Sequence, residues 1–373
     1  MRYAQIAGWG MHVPSRLVKN ERFVELGLDT SDEWIATRTG IRQRYIAGNE
    51  STSDLALRAA QEALYVSGTH ARDIDLILLA TCTPDQVMPS TASLIQDRIG
   101  ATGAGAMDLN AACAGFVYAL AMGAGQIESG RARQVLVIGA DELSTHLNWR
   151  DRSTCVLFGD GAGAVVLKES DEPGILSSTT GCDGAGADLL MIPAARPNSR
   201  ANGHSPKGVG YLTMNGPQIF RWATQMMAKA AEKVITASGL KLEQVDLFIP
   251  HQANLRIMET TAKRLGLPLE KVFSNVRQYG NTSAASIPIA LYEAVAAGRL
   301  KGGDNVVLSS FGAGLSWAAV ALRWGANVPA QHTRWSPLRR ELEARMAAVR
   351  STLRRQERAV RATIGERLRR DGD

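Results

Sequence analysis

Apolar and polar positions along the chain alternate between two kinds of stretch. Short apolar runs such as AQIAGWGMHVP, DIDLILLAT, GAGAMDLN, VLVIG, QVDLFIP, VVLSS and WAAVALRW read as largely buried strands. Between them, SDLALRAAQEALYVSG and MAKAAEKVITASG read as helices. NAACAGFVYALAMGAG, residues 110–125, is apolar on most faces and rich in small residues, so it reads as a buried helix entered through a tight turn. Strands alternating with helices predict mixed sheets covered by helices, a layered α/β architecture.

The pattern repeats at a fixed distance. Gly68 matches Gly239, Asp75 matches Asp246, Asn110 matches Asn281 and Val135 matches Val306, each pair 171 residues apart. The elements match too: NAACAGFVYAL with NTSAASIPIAL, VLVIG with VVLSS. The body is therefore one α/β unit duplicated, with its boundary near residues 168–176. A pseudo-twofold axis between the copies brings the helix starts at Cys113 and Ala284 close together.

Composition adds limits. The 373 residues allow a large core, and 36 glycines suit tight turns and close packing. The start MRYAQIAGWGMHVPS lacks the form of a secretory leader, and no apolar run is long enough for a membrane span. Cys82, Cys113, Cys155 and Cys182 are widely spaced with no metal-ligand pattern, which fits a reducing cytoplasm. The net charge of +6 lies wholly in the tail. From Arg334 onward there are 12 Arg, no Lys and 6 acidic residues, leaving 42 − 12 = 30 basic and 36 − 6 = 30 acidic residues in the body. A neutral body argues against nucleic-acid binding.

Candidate chemistry gathers at element ends. Cys113 stands at a strand-to-helix turn, where the helix dipole and free N–H groups favour thiolate; a small buried hydrophobe is the competing reading. Thr30 or Ser31 can cap a short helix carrying Trp34, Arg38 and Thr39. Its ring and guanidinium can stack on a base and pair with phosphate, although a packed Trp beside a solvated Arg is the commoner arrangement. His251 follows the strand VDLFIP, and a histidine there is more often a satisfied surface group. Asn281 in YGNTSAAS reads by default as a helix cap. SSFGAGLSW is a glycine-rich hairpin whose backbone N–H groups can approach a ligand.

Jointly, TSDEWIATRTGIR, NAACAGF, DRSTCVLFGDGAGAVVL, IPHQANLRI, GNTSAASIP and FGAGLSW resemble the thiolase superfamily, most closely the β-ketoacyl-acyl-carrier-protein synthase III family, over roughly residues 1–325. The resemblance implies a thiolase-like αβαβα fold of two duplicated halves with mixed five-stranded sheets. It implies an N-terminal half, 1–172, holding the nucleophile, and a second half, 173–325, holding His and Asn. The catalytic set falls on Cys113, His251 and Asn281; the Asn argues against the Cys-His-His branch that extends long chains. The backbone N–H groups of Cys113 and Ala313 become the oxyanion donors; the family usually has glycine at the latter, and alanine restricts φ there. Trp34, Arg38, Thr39 and Arg152 fall on the adenine end of CoA, and Asn254 on its pantetheine arm. Met88 falls where a partner subunit supplies the floor of the acyl pocket, and a flexible methionine would admit primers larger than acetyl. Arg221, Arg256, Lys263 and Arg264 fall where an acidic carrier protein docks, although a solvated basic face explains any one of them equally well.

The implied activity is priming of fatty acid synthesis by a cytoplasmic homodimer. Acyl-CoA loads Cys113, then malonyl-acyl carrier protein loses CO₂ and attacks, with no metal or cofactor. The alternative is a relative of polyketide or specialised metabolism with another primer. A non-enzymatic binding protein is a further rival, opposed by the intact Cys113, His251 and Asn281. Outside the resemblance lies 326–373, a linker followed by an Arg-rich helix with the stripe Leu338, Leu342, Met346, Val349, Leu353, Val360, Ile364 and Leu368. A partner or self-association helix is the favoured reading. Carrier-protein affinity and an anionic membrane surface compete; the lack of any aromatic after Trp335 weakens the membrane reading.

Overall fold

The computed structural model describes residues 2–193 and 210–325, together with 346, 349–354, 356–357 and 360–361 of the C-terminal extension. The linker 326–337 and the stripe residues Leu338, Leu342, Ile364 and Leu368 lie outside the described residues.

Nine strands build two sheets: β1 (Tyr3–His12), β2 (Leu76–Ala80), β3 (Gly105–Leu109), β4 (Gln134–Asp141), β5 (Gly161–Ser170), β6 (Ile175–Cys182), β7 (Leu247–Pro250), β8 (Asn305–Gly312) and β9 (Ser316–Arg323). The first sheet runs β1-β5-β4-β2-β3 and the second β6-β9-β8-β7. In the first, three parallel strands stand beside an antiparallel pair, and in the second two parallel strands do. The duplication holds at the level of register. Leu76 faces Val135 in the first sheet, and Leu247 faces Val306 in the second, so both members of the pair have moved by 171 positions.

A fifth strand in the second sheet was expected from the family pattern. Its place is reduced to a single parallel bridge, Phe248 to Val272. The residues matched to β3 instead form the short helix Val276–Tyr279. Glu293 holds that helix from both sides, accepting from Asn275 Nδ2 at 3.2 Å and from the Tyr279 hydroxyl at 2.5 Å.

Seven helices matter to the layering: α1 (Asp32–Thr39), α2 (Thr52–Ser67), α3 (Thr91–Ile99), α4 (Gly115–Glu128), α5 (Gly216–Ala237), α6 (Leu255–Leu265) and α7 (Ser286–Ala296). Helices α4 and α7 fill the middle layer. Phe116, Val117, Leu120, Ile287, Ala290 and Leu291 pack between the sheets with Leu78, Val135, Val137, Val306 and Leu308. The strand period of two turns Ile77, Leu79, Leu136 and Ile138 the other way, onto α2 and α3. Phe248, Val307, Ala319 and Ala321 likewise face α5. The result is five layers, αβαβα. Ser31 caps α1, accepting from Trp34 N–H at 3.0 Å, and Ser51 with Asp54 forms a capping box on α2.

The described part of the extension touches α3. Arg354 pairs with Asp97 at 3.4 Å, and the Ser351 hydroxyl donates to the same carboxylate. Met346, Val349, Leu353 and Val360 are exposed. No helix among the described residues is long and apolar enough to cross a membrane.

Candidate active site

The middle layer brings together two short turns, Ala112–Ala114 ahead of α4 and Ser283–Ala285 ahead of α7. Each opens on a residue in the left-handed region, Ala112 at φ 47° and Ser283 at φ 52°. They are the two non-glycine residues with positive φ among the described residues, and they are matched by the repeat. Such a conformation costs on the order of 1–3 kcal/mol and persists where surrounding contacts hold it, often at functional sites. The next residue in each turn is Cys113 in one half and Ala284 in the other.

Cys113 is buried, with Sγ 3.3 Å from the Ser283 hydroxyl. Its carbonyl accepts from the Ser310 hydroxyl at 2.8 Å, which ties the turn to β8 of the opposite half. The sequence reading has the helix start favouring thiolate. Burial wins instead: it pushes the thiol up to about 12, and the Ser283 contact only partly opposes it. The resting side chain is a thiol.

His251 follows β7 and is fully buried, so burial holds its imidazole well down, to about 3, and neutral. Nδ1 lies 2.5 Å from the Ser286 hydroxyl at the first turn of α7. That hydroxyl also accepts from Gln252 N–H at 3.4 Å; where it gives its own proton to Nδ1, the imidazole N–H lies on Nε2. Nε2 is buried without a protein partner. The Phe311 ring meets the imidazole edge-on, 5.4 Å between centroids, and fixes its plane. Asn281 is held by its backbone, donating to Leu157 and accepting from Gly159. Its side-chain oxygen accepts from Ser283 N–H at 2.9 Å, which leaves the amide Nδ2 free to donate.

Cys113, His251, Asn281 and Ala313 line one cavity of about 1560 Å³. Trp34, Arg38, Arg221, Asn254 and Arg256 line it too. Two guanidinium groups lie over the Trp34 ring, Arg38 at 4.5 Å and Arg152 at 4.6 Å from its centroid. Arg152 is anchored to Asp29 at 3.2 Å. Asn254 caps α6 through Arg256 N–H at 2.8 Å and donates to the Arg38 carbonyl at 3.1 Å, joining α1 to α6. The remaining residues lie outside the cavity lining of this chain. Thr39 is buried with its hydroxyl spent on the end of α1, donating to Ile35 and accepting from Ile41, so it does not face the cavity. Lys263 and Arg264 are exposed at the far end of α6, roughly 12 Å along the helix from Arg256. Met88 projects outward, 85% exposed, while its neighbour Val87 reaches the cavity of the same chain.

Sequence reasoning passed over several residues here. Ser283 touches the sulfur, Ser286 bonds the imidazole Nδ1, and Ser310 holds the Cys113 carbonyl. Cys82, read as a core or loop residue, lines the same cavity. Ser283 alone had a sequence signal, since it occupies the repeat position of Ala112 beside the thiol. Among the described residues no cluster of three or more His, Cys, Asp or Glu side chains is arranged to hold a metal ion.

Known proteins resemble the chain in sequence and fold. Residues 107–184 match the family model described as 3-oxoacyl-[acyl-carrier-protein (ACP)] synthase III, and residues 235–324 match its C-terminal model. The chain is 52% identical to the beta-ketoacyl-[acyl-carrier-protein] synthase III of Roseiflexus castenholzii, over 87% of this chain and 99% of that one. The crystal structure of the 3-oxoacyl-[acyl-carrier-protein] synthase III of Aquifex aeolicus superposes with a TM-score of 0.80 at 45% identity, covering 86% of this chain and 100% of that one. The priming beta-ketosynthase of the R1128 polyketide pathway superposes with a TM-score of 0.82 at 38% identity, covering 87% and 97%.

Proposed function

Given that the chain belongs to the 3-oxoacyl-[acyl-carrier-protein] synthase III family, we propose that Cys113, His251 and Asn281 carry its reaction. The chain is a condensing acyltransferase that initiates fatty acid synthesis. In our reading, Cys113 attacks the thioester carbonyl of a short acyl-CoA. The acyl group passes to sulfur, and the thiol proton leaves with CoA. Backbone N–H groups of Cys113 and Ala313 hold the oxyanion. Malonyl-acyl carrier protein then loses CO₂, and the electrons of the broken C–C bond form an enolate. That step needs no base. It needs two fixed donors on the enolate oxygen, and His251 Nε2–H and Asn281 Nδ2–H supply them. The carbanion attacks acyl-Cys113 and gives β-ketoacyl carrier protein.

One observation carries this reading. The cavity that contains the sulfur also contains an unpartnered, buried His251 Nε2 and an Asn281 amide whose oxygen is already engaged. Two neutral N–H donors beside a thiol suit enolate stabilisation and suit proton abstraction poorly, because a base held near pKa 3 is weak.

The finer parts follow from the same frame. Trp34, Arg38 and Arg152 take the adenine and phosphates of CoA, and Asn254 the pantetheine arm; Thr39 supports α1. Arg221 and Arg256 at the mouth receive the acidic carrier protein, with Lys263 and Arg264 extending the basic face. The halves 1–172 and 173–325 act as one catalytic body. The enzyme works in the cytoplasm as a homodimer. The outer position of β3 and the exposed Met107, Val87 and Met88 support that assembly, in which Met88 closes the partner's acyl pocket. The likeness to the R1128 priming ketosynthase supports a second reading, a primer other than acetyl. Mass spectrometry of the chain after mixing with a panel of acyl-CoAs decides between them. A mass gain confined to Cys113, absent from Cys113→Ser and followed by product with malonyl-acyl carrier protein, is the expected result. A wild-type chain that takes no acyl group would sink the proposal.

A further inference from the structure

Two matched positions in the halves hold different side chains at the centre of the molecule. Strand β4 ends at Asp141, and β8 ends 171 residues later at Gly312. Each strand end abuts the turn of the opposite half. On one side Asp141 Oδ2 accepts from Ala284 N–H at 3.1 Å. On the other, a Cβ at Gly312 would lie 2.8 Å from the Cys113 nitrogen. The N–H of Ala284 is thus taken by a carboxylate, while glycine leaves its twin at Cys113 clear of any side chain.

Asp141 is fully buried. Its Oδ1 accepts from the Thr81 hydroxyl at 3.0 Å, Cys82 N–H at 2.8 Å, the Cys82 thiol at 3.3 Å and the Thr83 hydroxyl at 3.2 Å. Every donor named here is neutral. Charge-assisted hydrogen bonds of this kind hold their donors firmly, since a buried carboxylate is stable only while they are in place. Holding Ala284 N–H fixes the Ser283–Ala285 turn. Ser283 N–H in turn fixes the Asn281 amide, and the Ser283 hydroxyl faces the Cys113 sulfur.

We propose that Asp141 is a positioning residue for the condensation step: its buried carboxylate fixes the Ser283–Ala285 turn and, through it, the amide of Asn281. This rests on the reading that Asn281 donates to the enolate. The groups that hold the first oxyanion, the N–H donors of Cys113 and Ala313, are not bonded to Asp141. The half-reactions should therefore separate.

The test uses the full chain carrying Asp141→Asn, which keeps the shape and removes the charge, with Asp141→Ser as a second variant. Thermal melting reports folding. Intact-mass time courses report acyl loading of Cys113 from acetyl-CoA. Turnover of malonyl-acyl carrier protein by preloaded enzyme reports condensation. Condensation should fall at least about thirtyfold, since a displacement near 1 Å costs on the order of a hundredfold. Loading should stay within about fivefold, the scale of one hydrogen bond, and KM for the malonyl substrate should hold. Equal losses in both half-reactions, or no loss in condensation, overturn the proposal. Failure of both variants to fold assigns the carboxylate to stability and overturns it as well. A wild-type chain that neither loads nor condenses overturns the parent reading and this one together; an active wild type with an unsplit variant overturns this one alone.

Discussion

The Ser283 hydroxyl and the Cys113 sulfur lie 3.3 Å apart across the seam between the two halves, 170 residues apart in the chain. It is the contact that opposes burial in holding the thiol near 12. Ser283→Ala should raise the thiol further and slow alkylation and acyl loading about fivefold, the scale of one hydrogen bond of about 1 kcal/mol. Iodoacetamide rates across pH 8–10 would measure it. An unchanged rate would remove Ser283 from the account of the nucleophile.

His251→Ala and Asn281→Ala should each lower condensation by about a hundredfold or more, the usual cost of losing one oxyanion-type donor. Acyl loading should suffer much less, because those donors serve the second oxyanion. Single-turnover measurements of the two half-reactions would separate the effects.

His251 and Cys113, both buried, each contribute to the pH dependence of stability. Unfolded His251 takes a proton near pH 6.5, and the folded group refuses it until about pH 3. Stability therefore falls as pH drops below 6.5, by about 1.4 kcal/mol per pH unit from this group. Unfolded Cys113 loses its proton near 9 and the folded thiol near 12, so stability also falls as pH rises above 9. His251→Gln should flatten the acid limb in urea titrations at pH 4.5–7. An acid limb as steep as that of wild type would refute the assignment. Because the imidazole stays neutral throughout pH 5–8, condensation rates should show no His251 titration in that range.

Gly312→Ala should block the site from behind. The added Cβ would sit 2.8 Å from the Cys113 nitrogen and 3.0 Å from the Ala111 carbonyl. Overpacking of this kind costs about 1–3 kcal/mol of stability. The larger effect should be on loading, expected to fall by about two orders of magnitude because the Cys113 N–H is displaced. Acyl-CoA time courses on the folded variant would measure it.

Deleting residues 326–373 should leave activity intact and lower the melting temperature by only about 2 °C. The described contact to the body is the half-exposed Arg354–Asp97 pair with Ser351 beside it, and such pairs contribute about 1 kcal/mol or less. A larger loss would mean that the extension covers more of the body than α3.

Much of this was legible in the sequence because it is local or periodic. The repeat spacing alone showed two matched halves, and the registers Leu76–Val135 and Leu247–Val306 follow the same offset; element ends drew attention to Cys113, His251 and Asn281. The rest depends on distant chain segments meeting. The Asp141 link to Ala284 and the Ser310 link to the Cys113 carbonyl join residues 143 and 197 positions apart, and no motif says which distant residue each will meet. The direction of the thiol shift was misread because dipole and burial act oppositely, and burial is visible only after folding. Thr39 was placed at the ligand by its neighbours in sequence, whereas the helix turns its hydroxyl inward.

The unequal pair Asp141 and Gly312 also bears on ancestry. A forebear assembled from two identical subunits would have had to place one and the same amino acid at both strand ends. It could hold both turns with acid, or bare both, but never treat them differently. Within one chain the two ends are free to differ, and here they do: glycine bares the turn at Cys113, and a carboxylate holds the turn at Ala284.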